Sequence, residues 1–86
     1  MAKDQFREAV CTNVVRVLRE ERERRGISMN EVAQRSGLSQ SMISLVERDL
    51  RNPTLDTLLR ITQALNADLR DVLTKATKIA AKSDRK

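Results

Sequence analysis

The stretch from Ser28 to Arg48 leaves this chain few ways to fold. Its first half, Ser28-Met29-Asn30-Glu31-Val32-Ala33-Gln34-Arg35-Ser36, opens with a serine followed three residues later by Glu31. That is the capping-box spacing that starts a helix. Gly37 supplies a positive φ at no steric cost and ends it. Ser39 caps a second helix almost at once, running through Gln40-Ser41-Met42-Ile43-Ser44-Leu45-Val46-Glu47-Arg48. The turn between them is too short for anything but a steep crossing of two helices.

The rest of the chain reads as helix around this pair, with no convincing strand. Phe6, Val10, Val14, Val17 and Leu18 recur at helical spacing and predict a first helix over about 5–25, stopped by Gly26. On its polar face Arg16 and Glu20, and Arg19 and Glu23, stand one turn apart as ion pairs. Val32, Ala33, Leu38, Ile43 and Val46 form the expected core of the central pair. Asn52-Pro53 forces an extended turn, and Thr54 caps a fourth helix carrying Leu55, Leu58, Leu59, Ile61, Thr62 and Leu65. Asn66 is the expected left-handed stop. Asp68 caps a fifth helix with Leu69, Val72, Leu73 and Ala76 on one side, and the charged tail 82–86 is expected to fray. Residues 1–86 thus read as one all-α domain, a compact five-helix bundle without internal repeat or linker.

A chain of 86 residues offers little room for a deep catalytic cleft. It has no His, no Tyr, no paired thiols and no glycine-rich phosphate loop, so neither an enzyme, a metal site nor a cofactor is expected. Lys and Arg number 17 against 12 Asp and Glu, and the net charge of +5 favours a polyanionic partner. Phe6 is the one aromatic residue. Single strands and RNA are gripped by stacking bases on rings, so duplex DNA is the better match. The single Cys11 fits a reducing compartment. No apolar run is long enough for a membrane span and no secretory pattern opens the chain, so a cytoplasmic protein is expected. A membrane-surface helix over 75–86 has too small an apolar face.

Two capped helices across a tight turn form a helix-turn-helix, whose second helix can enter a DNA major groove with its first residues facing base edges. The recognition helix then spans about 39–48. Gln40 is the leading reader, since its amide matches adenine N6 and N7. Ser41 and Ser44 share its face with little selectivity of their own, and the Ser39 hydroxyl caps the helix within reach of a base or phosphate. Phosphate contacts are expected from Arg51 and Asn52, which precede the fourth helix, and from the free N–H groups at Thr54 and Leu55. Asn30, at the start of the second helix, and Arg35 and Arg48 complete the set. For Arg35 and Arg48 a plain solubilising charge is the competing reading.

The ordered set Arg22, Gly26-Ile27-Ser28, Glu31-Val32-Ala33, Ser36-Gly37-Leu38-Ser39-Gln40-Ser41, Ile43-Ser44, Val46-Glu47-Arg48, Arg51-Asn52-Pro53-Thr54-Leu55-Asp56-Thr57-Leu58 and Ala64-Leu65 resembles the Cro/repressor-type, or XRE-like, helix-turn-helix regulators. The match spans about 22–73. The resemblance implies a lambda repressor-like five-helix DNA-binding domain, acting as a homodimer on a near-palindromic operator, with repression as the expected outcome. It also implies that Glu47 pairs with Arg22 to hold the third helix against the first. Four positions depart from the family pattern. Met29 stands where Gln is common, so that contact is missing or an apolar group packs there. Leu45 replaces a polar or basic residue and either meets a thymine methyl or joins the core. Asp49 replaces a glycine, in a left-handed turn that Asp tolerates. Glu21 replaces a leucine and thins the core seam under the first helix.

Dimer-interface candidates lie at the two ends. Ile79 and Ala80, with Ala76 beside them, extend the apolar stripe of the fifth helix further than one core contact needs. Phe6 and Val10 belong to the N-terminal extension that precedes the matched region. The rival reading for the whole chain is a protein–protein interaction module, such as an antitoxin or adaptor, that keeps the helix pair without reading bases.

Overall fold

The computed structural model describes the backbone of residues 3–84 and the side chains of residues 4–82. Over this range the chain forms five helices: α1 (Lys3–Arg24), α2 (Met29–Ser36), α3 (Gln40–Glu47), α4 (Leu55–Ala64) and α5 (Leu69–Asp84). The charged tail expected to fray is helical through Asp84, while Arg85 and Lys86 lie outside the described residues.

Local chemistry closes each helix where the sequence places it. Ser28, Ser39 and Thr54 each accept from the backbone N–H three residues on, at 3.1 Å. At the start of α5 the Asp68 carboxylate accepts from the Arg70 N–H at 2.8 Å. The capping box at Ser28 is only half made, because the Glu31 carboxylate turns along α2 to Arg35 rather than back to the cap. Gly26, Asp49 and Asn66 hold φ of 68°, 57° and 56° at the ends of α1, α3 and α4. Each sits in the same double closure. The N–H groups of Gly26 and Ile27 return to Glu23 and Arg22, those of Asp49 and Leu50 to Val46 and Leu45, and those of Asn66 and Ala67 to Gln63 and Thr62. This is the Schellman arrangement, which satisfies carbonyls that a helix end otherwise leaves unpaired.

The core joins all five helices. Val14, Val15, Val17 and Leu18 of α1 meet Val32 and Ala33 of α2, Ile43 and Val46 of α3, Ile61, Ala64 and Leu65 at the end of α4, and Val72 and Ala76 of α5. Leu38 is only partly buried, and Met29 packs against the core from the start of α2. An apolar group has therefore replaced the polar one common at that position. On α4 the expected apolar stripe is split. Ile61, Thr62 and Leu65 are buried, whereas Leu55 and Leu59 are exposed.

The most extensive packing is between α1 and α5. Arg25, just past α1, reaches carbonyls that precede α5, and Glu21, one turn back in α1, reaches Lys75. The two helices therefore run antiparallel. An α1 of 22 residues, about 33 Å long at the usual rise, accounts for the molecule's length of 40 Å against 21 and 18 Å across.

This packing corrects two of the interface candidates. Ala76 and Ala80 are both 0% exposed within the chain, and Ile79 and Val10 pack against the core. The N-terminal extension and the end of α5 cover each other. Phe6 is half-buried.

Candidate nucleic-acid interface

The beginnings of α2, α3 and α4 follow short turns, and contacts from α1 hold the turn before α2 at Ile27 and the turn after α3 at Asp49. Arg22 and Glu47 set the frame. Arg22 Nε and Nη2 donate to the two Glu47 carboxylate oxygens at 2.7 and 3.0 Å, and Nη1 donates to the Ile27 carbonyl at 2.9 Å. The pair is nearly dry, with side chains 11% and 7% exposed. One guanidinium thus fixes the end of α3 and the turn into α2 together. At the next turn the Thr12 hydroxyl of α1 donates to the Asp49 carboxylate at 3.0 Å, bracing the residue whose left-handed backbone launches Leu50, Arg51 and Asn52.

With α3 held this way, Gln40, Ser41, Ser44, Leu45 and Arg48 line one shallow depression. Their spacing keeps them on a single helix face. Gln40 and Ser41 are exposed, Ser44 and Leu45 half-exposed, and Leu45 is not packed against the core. Ile43 and Val46 point the other way and are buried. Ser39 spends its oxygen on the Met42 N–H as the cap of α3.

The neighbouring helix starts present backbone donors. First-turn N–H groups have no partner within their own helix. At α2, Ser28 accepts from Glu31, and Asn30 stands exposed in the same turn. At α4, Thr54 Oγ1 accepts from the Thr57 N–H and shares a hydrogen bond with the Thr57 hydroxyl, next to exposed Arg51 and Asn52. Asp56 lies in that first turn and would repel an anion, but Arg60 draws its carboxylate along the helix at 2.8 Å.

Arg35 departs from its predicted place. Its guanidinium is held by Glu31 and by the Ala64 carbonyl at the end of α4, 3.1 Å away. Arg60 likewise donates to the Ser36 carbonyl at 3.2 Å. Both arginines tie α2 to α4, since helix C-termini carry unpaired carbonyls and attract cations. Arg48 stays on the recognition face.

Sequence reasoning missed the work of Glu21. It is 9% exposed rather than merely thinning a seam. Its carboxylate accepts from Arg24 at 2.9 and 2.8 Å and from Arg25 at 3.3 Å, with Lys75 3.9 Å away. Hydrogen bonding from Arg24, against the opposing effect of burial, lowers its pKa to about 2. Arg25 carries the network on to the Leu65 carbonyl at 2.6 Å. The signal was an acid among four arginines, but the partner helix lay too far along the chain to be seen.

Residues 18–72 match the profile of the family described as Helix-turn-helix. The chain is 40% identical over 69 residues to the HTH-type transcriptional regulator y4dJ of Sinorhizobium fredii, covering 80% of this chain and 84% of that one. It is 46% identical over 48 residues to the HTH-type transcriptional regulator MT0491 of Mycobacterium tuberculosis, covering 56% of this chain but only 34% of that longer relative. Among solved structures, a point mutant of the restriction-modification controller protein C.Esp1396I superposes with a TM-score of 0.78 at 26% identity, over 85% of this chain and 95% of that one. The wild-type controller superposes with a TM-score of 0.71 at 27% identity, over 78% and 92%. Among the described residues no helix is long and apolar enough to cross a membrane.

Proposed function

Because this chain belongs to the helix-turn-helix family of DNA-binding transcriptional regulators, we propose that it represses transcription as a homodimer on a near-palindromic operator. The observation that carries the reading is the depression on α3, where Gln40, Ser41, Ser44 and Arg48 stand together on a rigidly held face. Gln40, exposed in the first turn, pairs with an adenine edge, the serines add polar contacts at bases, and Arg48 reaches a phosphate. Arg51, Asn52 and the start of α4 hold one phosphate flank, and Asn30 with the start of α2 holds the other. Repression follows from occupying the operator.

The homodimer reading moves away from the end of α5, whose apolar stripe is used inside the chain. It rests on the face where Leu59 of α4 and Leu73 of α5 remain 42% and 41% exposed around a shallow depression shared with Leu69 and Ala67. A twofold contact matches such a patch against itself. It sets two recognition helices about 34 Å apart, one turn of DNA.

Selection of the purified protein against random duplex DNA at near-physiological salt tests the reading. The expected result is an enriched inverted repeat with half-sites about one helical turn apart, and loss of preference at one adenine in Gln40→Ala. A retained pool without any motif would instead support the protein-interaction reading, which the exposed Leu50, just past α3, and Leu55, at the start of α4, favour.

A further inference from the structure

The recognition face carries one apolar side chain that its polar contacts leave unused. We propose that Leu45 reads the C5-methyl group of a thymine in the major groove, so that each operator half-site requires thymine at one fixed position; this rests on α3 being the reading helix. Leu45 lines the depression with Gln40, Ser41, Ser44 and Arg48 and is not packed against the core, which α3 contacts instead through Ile43, Val46 and Met42. A half-exposed leucine at that place gains only when something apolar covers it. The thymine methyl is the apolar group that base pairs present in the major groove.

The rest of the face strengthens the assignment. The one acid of α3, Glu47, is turned away into its pair with Arg22. No basic residue occurs within α3, and Arg48 stands just beyond its end. Between Gln40 and Arg48 the face therefore offers two serine hydroxyls of low selectivity and Leu45. The backbone at Leu45 is held in place, since its carbonyl accepts from the Leu50 N–H at 2.9 Å in the closure that ends the helix. A methyl contact made from a helix held in place distinguishes thymine from cytosine and uracil without a hydrogen bond.

The test uses the selected operator with each thymine replaced in turn by deoxyuridine, which removes only the methyl. Kd is measured at constant salt for the wild type and for Leu45→Ala. One thymine per half-site is expected to lose about fourfold in affinity for the wild type on replacement, the scale of one buried methyl. Leu45→Ala is expected to bind the thymine and uracil forms of that site equally. The proposal is overturned if no single thymine is sensitive, or if the penalty persists in Leu45→Ala. A melting temperature of Leu45→Ala far below wild type would also overturn it, by placing the side chain in the core. If selection yields no preferred sequence at all, the DNA-reading role of α3 falls, and this proposal with it.

Discussion

Arg22 spends its guanidinium on two partners from other parts of the chain, the Glu47 carboxylate and the Ile27 carbonyl. Removing one member of a nearly dry pair leaves the other charge without compensation, which costs more than the pair itself contributes. Glu47→Ala is expected to lose about 3 kcal/mol in denaturant unfolding while keeping the wild-type sequence preference at temperatures where it is folded. A normal melting temperature with altered preference would assign Glu47 to the bases instead. Glu21 yields a prediction about acid. Its folded pKa, lowered from the ordinary 4.5 to about 2 chiefly by Arg24, means that its stabilising contribution is complete above about pH 4.5. The contribution drains away as pH falls from there toward 2. Melting temperatures across that window are expected to fall more steeply for the wild type than for Glu21→Gln; parallel curves would show that the cluster adds nothing to folding.

At the scale of the element, each reading helix depends on its cap. Ser39→Ala and Thr54→Ala each leave a first-turn N–H without its acceptor and are expected to cost about 1 kcal/mol, read by chemical unfolding. Thr54→Ala is expected also to weaken binding across all DNA sequences alike, because it loosens the start of α4; a change confined to one sequence would contradict a phosphate role there. These caps were legible in the sequence because the chemistry is local: Ser28, Ser39, Thr54 and Asp68 bond to groups two or three residues away, and Gly26, Gly37 and Asn66 need only their own backbone freedom. The same holds for the face of α3, which follows from helical period alone. What spacing does not encode is which distant helix an apolar stripe or a charge will meet. Arg35 reads as an exposed cation until α4 brings the Ala64 carbonyl to it, and Ala80 as a surplus apolar residue until α1 covers it. Glu21 makes the same point, since Lys75 reaches it from the other end of the chain.

For the whole molecule, the antiparallel α1–α5 pair separates what holds a protomer together from what is left for a second copy. Ala76→Leu inserts volume where no space remains and is expected to destabilise by about 1–3 kcal/mol without changing oligomeric state. Leu73→Glu is expected to do the reverse, giving monomers in sedimentation with unfolding close to wild type. A dimer that survives Leu73→Glu would move the twofold contact elsewhere. One further consequence concerns the arginines bound to carbonyls and carboxylates. Arg22, Arg25, Arg35 and Arg60 are engaged by carbonyls and carboxylates of the chain itself, and Arg48 and Arg51 are the arginines left at the reading edge. The sequence's formal charge of +5 thus overstates what a duplex meets. Association displaces few condensed counterions, so the slope of log K against log salt is expected near −2 per protomer, from about two neutralised phosphates. A slope twice as steep would mean that the carbonyl-bound arginines abandon their carbonyls on DNA. A slope near −2 describes a regulator whose hold on its site weakens about fourfold per protomer for each doubling of ionic strength.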